Sequence, residues 1–92
     1  MDTEFIDVPD NHRYELRSGD QLVGFIDYRL HGEVITLVHT EVFPAFSGQG
    51  HAAVLARGAL DDARARGLTV VPSCPYVASY IAKHPDYADL VA

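Results

Sequence analysis

The feature that most constrains the fold is a change in hydrophobic period at about Gly50, directly after the stretch FPAFSGQG (43–50). Before this point, apolar and polar residues alternate in the manner of β-strands. After it, six apolar residues recur at helical intervals along one stripe. They are Ala52, Leu55, Ala56, Ala59, Leu60 and Ala63. A strand, a glycine turn and an amphipathic helix are therefore predicted in succession.

Three strands are predicted before the turn and one after the helix. The first covers 13–17, the second 22–30 and the third 33–43. The third strand has apolar residues on both of its faces. Both faces are therefore expected to be buried, and the strand is expected to be central in the sheet. Gly67 is expected to end the helix in a left-handed conformation, and a short buried strand follows over 68–72.

A second helix is predicted over 75–84, with Pro75 at its first position and Cys74 as the N-cap. The order of elements is strand, strand, strand, helix, strand, helix. It predicts a mixed α+β fold, in which an antiparallel meander is joined to one parallel strand through a right-handed helical crossover. Disorder is expected only at the two ends. Ligands of such sheets bind beyond the C-terminal ends of the strands.

Length and charge exclude several classes of function. The 92 residues are expected to form one domain, 1–92. A net charge of −6 and a single lysine, Lys83, argue against nucleic acid as a partner, which would need a basic face. The histidines outside the third strand show no metal-ligand spacing, so no metal site is predicted. They are His12, His31, His51 and His84.

The cellular location is inferred from the N-terminus and the cysteine content. The first residues lack the basic start and apolar core of a signal peptide, and a lone cysteine forms no internal disulfide. No apolar run approaches the roughly 18 residues that cross a bilayer. We therefore expect a cytoplasmic protein with no membrane role, as a monomer or a weak homodimer.

The glycine turn is the first candidate site. The N–H groups from about Gly48 to Ala53 would point at one spot, where the helix dipole adds about half a positive charge. Gly50 and Ala52 carry no long side chain that would block a ligand. The turn therefore predicts either an anion cradle or a plain connection between a strand and a helix.

The end of the third strand supplies the second candidate. His39 and Glu41 are two residues apart and so share a face, which by strict alternation is also the face of Ile35 and Leu37. Ionisable groups beside apolar surface have altered pKa values and exchange protons near neutral pH. The alternative interpretation is a polar strand end that reaches solvent.

The start of the second helix is the third candidate. A thiol at the N-cap faces free N–H groups, which favour the thiolate, so Cys74 is either a nucleophile or an ordinary small buried residue. Tyr76 and Tyr80 lie one helical turn apart on one face. Either of them could donate a proton, and core packing accounts for at least one.

These segments together are similar to a known group of proteins. The stretches HTEVFPAFSGQGHAAVL and ALDDARARGLTVVPSCPYVASYIAKHPDY resemble the small, single-domain branch of the GNAT N-acetyltransferase superfamily, the YjdJ-like or NATD-like proteins. The resemblance covers about 24–87. Ser47 stands where the superfamily usually has Gln or Arg, and the chain lacks the two helices that often shape the acceptor pocket in larger relatives.

What the resemblance implies is binding of acetyl-coenzyme A. Its pyrophosphate would lie on the glycine turn, and its pantetheine arm beside the third strand, where that strand and the fourth splay apart. The implied cofactor contacts are Val42, Phe43, Ser47, Gly48, Gln49, Gly50, His51, Ala52, Ala53, Cys74 and Tyr76. The candidate catalytic residues are Glu41, Cys74, His39 and Tyr80. In larger relatives a glutamate on this strand is the general base and a tyrosine on the last helix the acid, and small relatives share the cysteine.

Three functions follow as hypotheses. The first is an acetyl-coenzyme A dependent N-acetyltransferase acting on an amine, either a small molecule or a protein lysine, which an acidic surface would attract. The second is a module that binds coenzyme A with little turnover. The third is a small structural partner protein whose glycine turn binds nothing.

Overall fold

The computed structural model describes residues 2–92, and five strands form one sheet in the order β1-β2-β3-β4-β5. The strands are β1 (Glu4–Val8), β2 (Arg13–Ser18), β3 (Gln21–His31), β4 (Val34–Val42) and β5 (Thr69–Pro72). The helices are α1 (His51–Ala65) and α2 (Pro75–Lys83), with short 3-10 helices at Pro9–Asn11, Pro44–Phe46 and Pro85–Leu90. Strands β1 to β4 pair antiparallel, and β4 pairs with β5 in parallel. The predicted mixed α+β fold and helical crossover are confirmed.

Near both ends of the described residues 2–92, the structure has β-pairing that the sequence does not predict. Strand β1 pairs along its whole length with β2, and its Phe5 ring stacks on Tyr14 at a centroid distance of 5.1 Å. Its other inward residue is Asp7, which accepts a hydrogen bond of 2.6 Å from the Tyr28 hydroxyl. An acid at an inward position masks the strand pattern in the sequence. At the other end, Val91 bridges β5 in parallel at Val70.

Helix α1 packs its predicted stripe on one face of the sheet. Five of the six stripe residues are buried and Ala52 is half-buried. The helix is also tied to β2, because the Tyr14 hydroxyl donates a 2.7 Å hydrogen bond to Asp62. Its C-terminus closes as predicted: Gly67 has φ +68°, and the Leu68 N–H bonds to the Ala63 carbonyl at 2.8 Å.

A β-bulge in β4 changes the orientation of its second half. Tyr28 of β3 pairs with Leu37, but the preceding Asp27 pairs with His39, so Val38 is an extra residue. The alternation of side chains therefore reverses at Val38. The prediction that both faces of this strand are buried is wrong as well, since Val34 is 39% and Val38 37% exposed.

Strands β4 and β5 stay together for only part of their length. Their pairing runs from Val34↔Thr69 to Leu37↔Pro72, whereas β4 continues against β3 as far as Val42. The last bond across the junction is from the Cys74 N–H to the Leu37 carbonyl, at 2.8 Å. Beyond Leu37, within residues 2–92, β4 has a strand partner on one edge only. The pairing of β4 with β5 therefore ends where β5 itself ends, at Pro72.

Candidate active site

The glycine turn holds the backbone in a conformation that favours glycine. Gly48 and Gly50 have φ +77° and +79°, and Gly50 is the N-cap of α1 with no side-chain cap hydrogen bond. No atom of the described chain, outside the immediate neighbours, lies within 4 Å of a Cβ built at either glycine. Free N–H groups at the start of α1 therefore border open space, which is the local geometry of an anion cradle.

The first residue of α1 adds an unusual polar group to this turn. The His51 side chain is buried, with 7% of the residue exposed, and its Nε2 atom has no hydrogen-bond partner in the part of the chain that the structure describes. Leaving such an atom unpaired in the interior costs about 1–3 kcal/mol. His51 thus holds a hydrogen-bonding capacity that the protein's own groups do not use.

The predicted N-cap of α2 is confirmed, and its thiol has a specific partner. Cys74 is 3% exposed, Pro75 is the first helical residue, and the thiol lies 3.3 Å from the Thr40 hydroxyl oxygen. Burial alone would raise the pKa of this thiol. The bond to Thr40 and the amide groups of Val77 and Tyr76 outweigh burial, so the Cys74 pKa lies below its usual value.

Thr40 was not identified from the sequence. It reaches Cys74 because the extra residue Val38 turns it toward the α1 side of the sheet, where its cross-strand partner Ile26 is fully buried. The contact spans the gap between β4 and the start of α2. No local pattern in the sequence signals such a contact, since it depends on the bulge and on the crossover together.

His39 and Glu41 share a face, as predicted, but it is not the face of Leu37. The His39 Nε2 lies 3.2 Å from a Glu41 carboxylate oxygen, and Glu41 pairs across the sheet with Phe25. Phe25 stacks at an angle against His39 and Phe43, away from α1. The two side chains are 56% and 45% exposed. The expected apolar, desolvated setting is therefore absent, and the bulge is the reason.

The two tyrosines of α2 differ in environment. Tyr80 is 9% exposed and stacks on His84 at 4.0 Å with an interplanar angle of 16°. Tyr76 is 39% exposed, and it lies in the first turn of the helix, two residues from Cys74. Partial burial, followed by the proximity of Tyr80, raises the pKa of Tyr76. Tyr80 thus contributes to packing near the end of α2, as expected for one of the pair.

Two further properties bear on the site. No group of three or more metal-ligating side chains occurs among residues 2–92. In the same part of the chain, no helix combines the length and apolar character needed to span a membrane.

Comparison with known proteins identifies the class to which this fold and site belong. Residues 13–90 match the family model described as GCN5-related N-acetyl-transferase. The chain belongs to the GCN5-related N-acetyltransferase family. It is also similar to the NMR solution structure of a GCN5-like protein from Staphylococcus aureus, with a TM-score of 0.73 and 22% identity over 97% of this chain and 87% of that chain. This likeness confirms the fold, and the family is the one that the sequence resembles.

Proposed function

We propose that this protein binds acetyl-coenzyme A and transfers the acetyl group to an amine. Membership of an N-acetyltransferase family supports the reaction class. The observation that carries the proposal is the open turn at the start of α1, where two left-handed glycines leave room for a ligand against free N–H groups. The glycines of other turns, Gly19 and Gly32, are equally open, and what sets this turn apart is that it leads into a helix N-terminus with no side-chain cap hydrogen bond.

The residues of the turn fit a pyrophosphate. Backbone N–H groups from Gly48 to Ala53 would hold its oxygens, aided by the positive end of the α1 dipole, with Ser47 and Gln49 at the exposed rim. His51, the first residue of α1, adjoins these groups, and its buried Nε2 has no hydrogen-bond partner among residues 2–92. No lysine is needed for this kind of site.

The gap between β4 and α2 fits the pantetheine arm. Within residues 2–92, β4 has no strand partner on this edge between Leu37 and its end at Val42, next to Phe43, so an amide-containing chain would bond to the backbone there. Cys74 lies at the far end of this gap, where a thioester would meet Thr40 and Tyr76.

Glu41 is our candidate general base. It would accept the proton that the amine loses when its nitrogen attacks the acetyl carbonyl. The carbon–sulfur bond then breaks, and coenzyme A leaves as a thiolate that takes up one proton. His39, 3.2 Å from Glu41, would hold the carboxylate in place. Both groups are exposed, so the acceptor would approach from the sheet face opposite α1.

Cys74 offers a second route. Its thiolate would attack the acetyl carbonyl and release coenzyme A, and the amine would then take the acetyl group from sulfur. Mass spectrometry after mixing with acetyl-coenzyme A at mildly acidic pH distinguishes the routes. The two-step route gives one acetyl group on Cys74 that hydroxylamine removes, and direct transfer gives none. A reducing compartment such as the cytoplasm keeps this thiol free.

Calorimetry with acetyl-coenzyme A, followed by coenzyme A release with a panel of amines, tests the function. Saturable binding and amine-dependent release are expected. Binding without release would establish instead the coenzyme A binding module, an alternative favoured by the exposure of Glu41 and His39. Absence of binding by the folded protein would refute both and leave a structural partner protein.

A further inference from the structure

A cleft lies beside His39, at the corner of the sheet where β3 extends past the start of β2. Its volume is about 460 Å³, and its lining includes Asp27, Arg29 and Val38. Val38 directly precedes His39 in β4, and Asp27 is the cross-strand partner of His39. The cleft therefore adjoins the exposed pair of His39 and Glu41, on the sheet face opposite α1.

Asp27 and Arg29 project from the same face as His39. They are two residues apart in β3, and the extra residue of the bulge belongs to β4, so the alternation within β3 is undisturbed. Directly opposed residues of an antiparallel pair have Cβ atoms about 4.5–5.5 Å apart. The Glu41 carboxylate in turn lies 3.2 Å from His39 Nε2. Asp27, His39 and Glu41 are therefore grouped at one level of the strands.

Neither Asp27 nor Arg29 is neutralised by a direct ion pair. Among residues 2–92, no group of opposite charge lies within 4 Å of either one. Arg13 is the other cross-strand partner of Asp27, but its guanidinium bonds to Glu15 at 2.8 Å. Two opposite charges thus remain without a direct partner in one cleft, and their residues are about 7 Å apart along the strand.

The two ends of the cleft differ in the sign of their charge. Asp27 and Glu41 contribute two negative charges at the level of His39, and the neighbouring cluster of Arg13, Glu15 and Arg17 offsets one of them. That end is therefore negative by one charge, whereas the other end carries the positive charge of Arg29. Two further acids, Asp10 and Glu33, are exposed in the adjoining turns and do not line the cleft.

Hydrogen-bonding side chains accompany Arg29 in the cleft. Asn11, His12 and His31 are part of the lining. The Tyr28 N–H donates to the His12 carbonyl at 2.9 Å, which holds this wall against β3. Amide and imidazole groups can donate hydrogen bonds to a carboxylate. The Arg29 end thus suits an anionic group, and the Asp27 end suits an ammonium group.

We propose that the acceptor is a small zwitterion whose primary amine and carboxylate are about 7 Å apart, as in 6-aminohexanoate. The inference rests on the proposed function and narrows its acceptor. The carboxylate would bind the Arg29 guanidinium through two parallel hydrogen bonds. Leu30 and Val38 are 38% and 37% exposed, and both line the cleft, where they would contact the methylene chain.

The ammonium group would lie between Asp27 and Glu41. It gives one proton to Glu41, and its nitrogen then attacks the acetyl carbonyl of acetyl-coenzyme A. The carbon–sulfur bond breaks, and the second proton of the nitrogen passes to the departing thiolate of coenzyme A. Asp27 takes no proton in these steps, and its role is to bind and orient the amine.

Coenzyme A release with 6-aminohexanoate and with 6-aminohexanamide, in which a neutral amide replaces the carboxylate, tests the site. We expect kcat/KM to be about 10-fold higher for the carboxylate. Arg29→Gln should reduce this preference to about 2-fold or less. Asp27→Asn should raise the KM for both amines. Arg57→Gln is the matched control, since it removes an arginine without an ion pair from α1 and should keep the preference.

A charge reversal gives a test that does not depend on loss of activity. Arg29→Glu should make 1,6-diaminohexane a better acceptor than 6-aminohexanoate, an outcome that a poorly folded variant would not produce. If the variant kept the preference for 6-aminohexanoate, Arg29 would not be the group that binds the carboxylate, and the proposal would be wrong.

The outcomes separate this inference from the proposed function. Equal kcat/KM for 6-aminohexanoate and its amide would overturn the zwitterion site and leave acetyl transfer standing. Faster transfer to the lysine of a short peptide than to 6-aminohexanoate would make a protein lysine the acceptor and would also overturn the site. Calorimetry covers the remaining case: binding of 6-aminohexanoate that Arg29→Gln weakens, without any release of coenzyme A, would support the site and refute the proposed acetyl transfer.

Discussion

Two helices begin at the same edge of the sheet, and their first turns are built in different ways. Helix α1 follows β4 through a glycine turn whose N-cap, Gly50, is left-handed, whereas α2 follows β5 through an extended N-cap, Cys74. Neither start is closed by a side-chain cap hydrogen bond. Both therefore keep N–H groups for other partners.

The difference between the two starts is one of access. Residues 47–50 are exposed, so the α1 start suits an anion that arrives from solvent and leaves again. Cys74 is buried, and its thiol is held by Thr40, so the α2 start presents a fixed sulfur at the inner end of the gap. The fold thus places an exposed candidate anion site at the start of α1 and a buried, candidate reactive thiol at the start of α2.

The largest expected effect is on the rate of amine acetylation, which we assign to Glu41 and not to either helix start. Glu41 lies on the opposite sheet face, so Glu41→Gln should lower amine acetylation about 10²-fold or more while acetyl-coenzyme A binding stays nearly intact. Steady-state rates and calorimetry measure the two quantities. Glu4→Gln removes the same charge from edge strand β1 and should leave the rate unchanged. Equal rates for wild type and Glu41→Gln across pH 6 to 9 would remove Glu41 from the mechanism.

The next largest expected effect is on the affinity for acetyl-coenzyme A at the start of α1. Gly50→Val should weaken acetyl-coenzyme A binding at least about 10-fold, because the side chain would fill the cradle and valine disfavours φ +79°. Gly67→Val is a matched control at the other end of α1, with φ +68° and equally open surroundings. Both variants should lose stability, but only the first should lose affinity. Unchanged affinity in folded Gly50→Val would contradict the proposal that the glycine turn binds the pyrophosphate.

A smaller effect is expected at the start of α2, on the reactivity of the Cys74 thiol. Thr40→Val removes the hydroxyl that lowers the Cys74 pKa, so that pKa should rise. Less thiolate is then present at neutral pH, and the rate of alkylation by iodoacetamide at pH 7 should fall roughly 3- to 10-fold. A pH profile of the rate should show its midpoint moving upward. A midpoint that stayed in place would mean that backbone amides, those of Val77, Tyr76 and Thr40, set the reactivity without the hydroxyl.

The sequence predicts the two helix starts well because each depends on local patterns. The apolar stripe defines α1, Gly67 ends it, and the Cys74–Pro75 pair marks the start of α2. These features require only backbone preferences and side-chain spacing within a few residues. All of them are confirmed by the fold.

Residues that depend on sheet register are predicted less well. The bulge at Val38 adds one residue without any change in composition, and it reverses every side chain after it. His39 and Glu41 were therefore assigned to the wrong face, and the contact of Thr40 with Cys74 was missed. Strand β1 is not predicted from the sequence because Asp7 occupies an inward position. This carboxylate is accommodated there by its hydrogen bond from the Tyr28 hydroxyl.

The smallest expected effect on acetyl-coenzyme A affinity comes from a change in the contact between α1 and the sheet. Tyr14→Phe removes the 2.7 Å bond to Asp62 in the last turn of α1, and Arg66 still pairs with Asp62 at 3.0 Å. Loss of one such bond should cost about 1–2 kcal/mol, a fall in Tm of roughly 4–8 °C per kcal/mol for a domain of this size. Because Asp62, the partner of Tyr14, lies at the opposite end of α1 from Gly50, acetyl-coenzyme A affinity should change less than about 2-fold. A fall in Tm accompanied by a 10-fold loss of affinity would show instead that the cradle depends on how α1 sits on the sheet, and that the open start is not a local property of its glycines.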